Sequence, residues 1–151
     1  MGTTFVHIAE NGFWMNDSIL ELWLRLAALH IDDPEKDQTL AEQIRTEWLL
    51  ASRGWFTGAV PFYLEESVSS EEGRVIVVEA INSLLRSLRN GPERLSCDVL
   101  NLMGMSNLWT EDFEAWRLIE VGESLLQLIA GRTFGPASDT SFMPGSIKNL
   151  H

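Results

Sequence analysis

Cations are scarce in this chain. Its 151 residues hold 11 Lys and Arg against 22 Asp and Glu, a formal net charge of −11 at pH 7. Such a surplus of carboxylates repels nucleic acid and anionic membrane and favours basic partners. Cysteine is nearly absent: Cys97 stands alone, which excludes an internal disulfide and argues against a multi-thiolate zinc site. Set among Leu95, Val99 and Leu100, it reads as a small core residue rather than a nucleophile. No apolar run reaches membrane-spanning length, since Glu21, Arg25 and His30 interrupt the stretch from Ile19 to Ile31. The N-terminal MGTTFVHIAENGFW has no basic region, apolar core or cleavage site, so no secretory signal is expected, and Val6 breaks the myristoylation pattern. These absences make the cytoplasm the expected location.

The templates for catalysis are missing too. No glycine-rich phosphate loop precedes a helix, and Leu108 stops Gly104-Met105-Ser106 from continuing into a nucleophile elbow. Of the three histidines, His7 lies near the start and His151 is terminal. His30 falls on the apolar face formed by Ile19, Trp23 and Leu26, the setting of a partly buried, hydrogen-bonded core residue. Glu120 and Glu123 are three apart on one helix, but no histidine completes a di-metal carboxylate site. The acidic run from Asp32 to Asp37 lacks the glycine and terminal Glu of a calcium loop. No catalytic residue, metal or cofactor is expected.

What the chain does have is the length and composition of one globular domain, rich in helical signals. Thr3 to Ala9 suits a short strand or extended arm, followed by a turn at Asn11-Gly12 and the aromatic pair Phe13-Trp14. Ser18 with Glu21 forms a capping box for a helix running to about Ile31, apolar on nearly every side and therefore the expected centre of the fold. A second helix is predicted from near Glu35 to Arg53, capped by Gly54, with Leu40, Ile44, Trp48 and Ala51 as its apolar stripe. Residues 54–66 read as a packed loop. A third helix opens at Ser69-Ser70-Glu71-Glu72 and ends at Asn90-Gly91. A shorter one is expected from Pro92 to about Met103, and a fifth from Thr110 to Gly131. The sequence thus predicts a mainly α fold. It is one domain over residues 1–151, a bundle of about five helices around a buried first helix, with residues 132–151 as a non-helical tail.

Many carboxylates, among them Asp17, Glu35, Asp37, Glu71, Glu72 and Glu93, fall at predicted helix starts. There the macrodipole favours each by about 0.3–1 kcal/mol. The shortage of cations has no such explanation. Between Pro92 and Gly131 only Arg94 and Arg117 face seven acids: Glu93, Asp98, Glu111, Asp112, Glu114, Glu120 and Glu123. The predicted fifth helix also carries Phe113 and Trp116 on its polar arc. Two large aromatics there need a cover, either the loop from Met103 to Trp109 or the C-terminal tail, or else they anchor a partner. The partner-binding reading gathers Phe113, Trp116, Glu120, Glu123, Glu111 and Asp112 into an aromatic anchor ringed by carboxylates, suited to a basic protein.

In general character the chain resembles the bacterial immunity proteins that neutralise cognate toxins of contact-dependent inhibition and other polymorphic systems. It shares their small size, acidity, helix content and lack of an active-site motif. The resemblance implies steric and electrostatic blockade of a toxin domain, often a basic nuclease, with salt-sensitive association. It transfers no residue. Two other readings stand beside it. One is a helical homodimer with a structural or assembly role that buries the same aromatics. The other is a small enzyme using carboxylates such as Glu21 or Glu120, with Trp23 and Trp55 stacking on substrate.

Overall fold

The computed structural model describes residues 2–32, 39–54, 59–104 and 108–147. The chain begins with an antiparallel hairpin, β1 (Thr3–Ile8) on β2 (Asn11–Asn16), in a register running from Thr3↔Asn16 to Ile8↔Asn11. Alternation puts Thr4, Val6, Phe13 and Met15 into the core. The turn is not at Asn11-Gly12, as the sequence suggests, but at Ala9-Glu10, with Ala9 at a positive φ of 54°. Glu65 accepts the Ala9 N–H (3.1 Å) and helps hold that conformation. Gly12 belongs to the strand because no side chain fits there: a Cβ would collide with the Val6 carbonyl.

The hairpin feeds directly into α1 (Asp17–Ala28). Asn16, rather than Ser18, caps it by accepting the N–H groups of Ser18 and Ile19. Glu21 is buried, not part of a capping box, and the helix stops at Ala28 instead of Ile31. Ile19, Leu20, Leu22, Trp23, Leu24, Ala27 and Ala28 are all buried, and α1 touches the hairpin and three other helices. Thr39 caps α2 (Leu40–Ala51) through the Glu42 N–H. The helix therefore starts later than expected, and Glu35 and Asp37 lie outside the described residues. Trp48 of α2 meets Trp23 of α1, their ring centres 5.9 Å apart.

A four-residue helix, α3 (Leu64–Ser67), begins inside the stretch read as loop and ends one residue beyond it. The long α4 (Glu71–Asn90) follows the sequence signals closely, with Ser70 capping through the Gly73 N–H. Next comes the largest departure. Instead of a helix from Pro92 to Met103, the chain forms a short strand β3 (Arg94–Leu95), a brief α5 (Cys97–Asn101), and β4 (Phe113–Glu114) paired with β3. Glu93 O accepts the Ala115 N–H (2.8 Å), and Asp112 accepts the Cys97 N–H (2.9 Å), so this excursion is stitched shut at its base. Consequently α6 (Ala115–Ile129) starts five residues later than expected, and Glu111, Asp112 and Phe113 are not on it.

The fold is therefore a mixed α and β arrangement, not the mainly α bundle that the helical signals suggest. Among the described residues it has six helices and two two-stranded antiparallel sheets. In its middle α6 packs on α4, where a Cβ on Gly122 would come within 2.8 Å of Leu85 Cδ2. Residues 132–147 carry no α-helix or strand, yet they bind the rest of the molecule throughout. Asn11 donates to Arg132 O and accepts the N–H groups of Phe134 and Gly135, and Trp14 Nε1 donates to Ala137 O. Phe134 and Phe142 stack on each other and meet Phe13 edge-on. No helix of the described residues is long and apolar enough to cross a membrane.

Candidate functional site

The structure divides the six residues that the sequence groups together. Phe113 is in the core, 3% exposed. Its ring takes Trp109 edge-on at 5.2 Å, and the Arg117 guanidinium lies 4.5 Å above it. The loop before β4 supplies that cover, so Phe113 is no surface anchor. Glu111 is exposed, and Asp112 accepts the Cys97 N–H at the start of α5. Trp116, Glu120 and Glu123 remain together on α6, joined by Ile119.

Trp116 and Ile119 are half-buried and form a ridge between two depressions. One, of about 570 Å³, has Leu88, Arg89, Glu93, Arg94 and Glu114 in its walls. The other, of about 380 Å³, is bounded by Glu120, Glu123, Ser124, Gln127 and Phe142 of the tail. Trp116 Nε1 donates to Glu114 (2.9 Å), which fixes the indole, and Arg89 meets Glu123 at 3.6 Å across the α4–α6 seam. Glu120 accepts the Gly145 N–H (2.7 Å), while Arg117 donates to Gly145 O (2.7 Å). Burial pushes the Arg117 pKa down, opposed by the Glu114 carboxylate. The result is an apolar ridge with a hydrogen-bonded indole, flanked by two depressions with charged rims. Leu88, Arg89 and Phe142 were not among the expected site residues. They arrive from α4 and the tail, and no spacing along residues 110–131 announces them.

Several arginines tie one element to another. Arg25 donates to Ser52 Oγ and Met103 O, Arg74 to Ile129 O, Arg117 to Gly145 O, and Arg132 to the Gln127 amide. These guanidinium groups fasten one element to another through uncharged oxygens. Between described residues, the ion pairs are Arg45–Glu42 and Arg89–Glu123. Exposed carboxylates such as Glu66, Glu71, Glu72, Glu93, Asp98 and Glu111 are left facing solvent.

The residues of the enzyme reading are differently placed. Trp23 is fully buried and out of reach of any substrate, and Trp55 lies outside the described residues. Glu21 is buried on α1, where burial and then Asp17 raise its pKa. His30 shares a hydrogen bond with Ser83 (2.8 Å), and burial, then Arg86, lowers its pKa. No group of three or more His, Cys, Asp or Glu among the described residues is arranged to hold a metal ion. Comparison with known proteins yields no matching family, curated protein or solved structure.

Proposed function

We propose that this chain is an acidic protein-binding module of the cytoplasm that inhibits or chaperones a basic protein partner, with the Trp116–Ile119 ridge as its anchor. An immunity protein that neutralises a cognate toxin is the form the general resemblance favours. The observation that carries the reading is the fixed Trp116 indole beside Ile119, set on a chain of net charge −11. With 22 acids against 11 cations, the exposed carboxylates give the surface a net negative field. The ridge adds what a field lacks: a fixed indole beside apolar Leu88 and Ile119. Field and anchor play separate parts, the first in the rate of encounter and the second in the lifetime of the complex.

The test is co-purification from the native cell at low and at high salt, followed by affinity measurements on whatever protein is retained. A basic partner held at low salt and released at high salt is expected. Trp116→Ala should then weaken the complex by about tenfold or more, the scale of a central aromatic contact. Retention of a neutral or acidic partner, or an unchanged affinity for the basic one, would overturn the assignment.

A further inference from the structure

The β1–β2 hairpin has one covered edge and one open edge. On the β2 side, Gly12 donates its N–H to Gly135 O (3.0 Å). That N–H therefore points away from β1, and His7↔Gly12 is a pair that exchanges no ladder hydrogen bonds. Alternation along an antiparallel ladder gives Phe5↔Trp14 the same character. The Asp17 N–H to Gly2 O bond (3.1 Å), at a position of opposite parity, agrees. The main-chain N–H and C=O groups of Phe5 and His7 thus project from the free side of β1. Among the described residues nothing bonds to them.

A groove of about 430 Å³ runs beside this edge. Phe5, His7 and Trp14 line the strand side, and Pro61, Phe62 and Tyr63 the other. Both walls are built. Phe5 stacks on His7 at 5.5 Å and tilts against Trp14 at 5.2 Å. Thr4 Oγ1 accepts the Val60 N–H (2.9 Å), and Val60 O accepts the Phe62 N–H (2.8 Å). Glu65 stands at the turn end, bonded to the Ala9 N–H, next to exposed Glu10. Proteins blunt bare strand edges with lysine, proline, bulges or a covering loop. TTFVHI contains neither lysine nor proline, and residues 60–65, which flank this edge, make no hydrogen bond to the main chain of Phe5 or His7.

We propose that this groove binds an extended segment of a protein partner, which adds to β1 as a third strand. The segment places a basic residue at the turn end, against Glu65 and Glu10. Main-chain hydrogen bonds supply affinity, and the aromatic walls select apolar side chains at alternate positions. A second copy of the chain fits less well. It would bring its own Pro61–Tyr63 wall into the same space, and two bodies of net charge −11 repel. The site is separate from the α6 ridge, so either assignment can fail alone.

A short synthetic peptide alternating Val and Thr, with Lys at one end, is the probe. Two further versions carry backbone N-methyl groups on one or the other set of alternate amides. The unmodified peptide is expected to bind and to slow amide exchange at Phe5 and His7 by about tenfold or more. One methylated version should lose binding and the other retain it, since only one set of amides faces β1. Trp116→Ala should leave all three results unchanged. Absence of binding, equal binding by both methylated versions, or protection away from Phe5 and His7 would overturn the proposal. So would a dimer of the free protein, seen by sedimentation, in which those two amides are already protected.

Discussion

Glu21 shows how a single buried carboxylate colours the behaviour of the whole protein. Burial on α1, with Asp17 one turn away, raises its pKa above the ordinary 4.5. The folded state then binds a proton more tightly than the unfolded chain, so this group costs stability as pH rises above its unfolded value. Glu21→Gln should raise the urea midpoint at neutral pH. The advantage should vanish below about pH 4, where both states hold a protonated Glu21. Paired urea melts of the two proteins check this, and an equal gain at both pH values would show that charge is not the cause. Trp23 and Trp48 illustrate another residue-level cost. Among the described residues their buried Nε1–H groups find no hydrogen-bond partner, and the ring faces nearby offer only weak acceptors. That both belong to the core was legible, because each sits in a helical stripe of apolar neighbours. Which polar atoms would be stranded was not, since that depends on how α1 and α2 cross.

Among the elements, α4 is legible in full and the hairpin only in part. Ser70 and Asn90-Gly91 mark both ends of α4, and its period of apolar residues runs unbroken between them. In β2 the sequence Asn11-Gly12-Phe13-Trp14 reads as a turn leading into aromatics. The turn chemistry of Asn-Gly hides the fact that Gly12 is needed for close approach to Val6 and Asn11 for the tail. Two-residue strands such as β3 and β4 leave no period to read at all. Asn11 makes the strongest test at this scale, because one side chain holds residues 132–135 with three hydrogen bonds. Asn11→Ala should cost about 1–3 kcal/mol and speed proteolytic cleavage between residues 132 and 147. Unchanged cleavage with an unchanged denaturation midpoint would mean that the aromatic contacts of Phe134 and Phe142 suffice to hold the tail.

At the scale of the whole molecule, charge is the governing quantity. With 22 acids against 11 cations, the carboxylates repel one another in the folded state. Added sodium chloride should therefore raise the melting temperature, about 1 kcal/mol of relieved repulsion giving about 2–4 °C for a chain of this size. Calorimetry over a salt series measures it, and a flat response would show that the acids are too dispersed to matter. The excess of acid was readable by counting residues, but which carboxylates stand exposed depends on the fold. The expected site was legible to a similar degree. Helical spacing kept Trp116, Glu120 and Glu123 together, whereas β4 removed Phe113 to the core, Glu111 lies ahead of α6, and Asp112 bonds to Cys97 of α5.

The tail's attachment to the hairpin also bears on the order in which the chain is made. Asn11 leaves the ribosome 123 residues ahead of its partner Phe134. Throughout that interval the hairpin has both of its edges bare, each a template for pairing with another nascent chain. Closure of the β2 side is a late event by construction. The hairpin therefore waits on residues 132–135 before its β2 edge is covered.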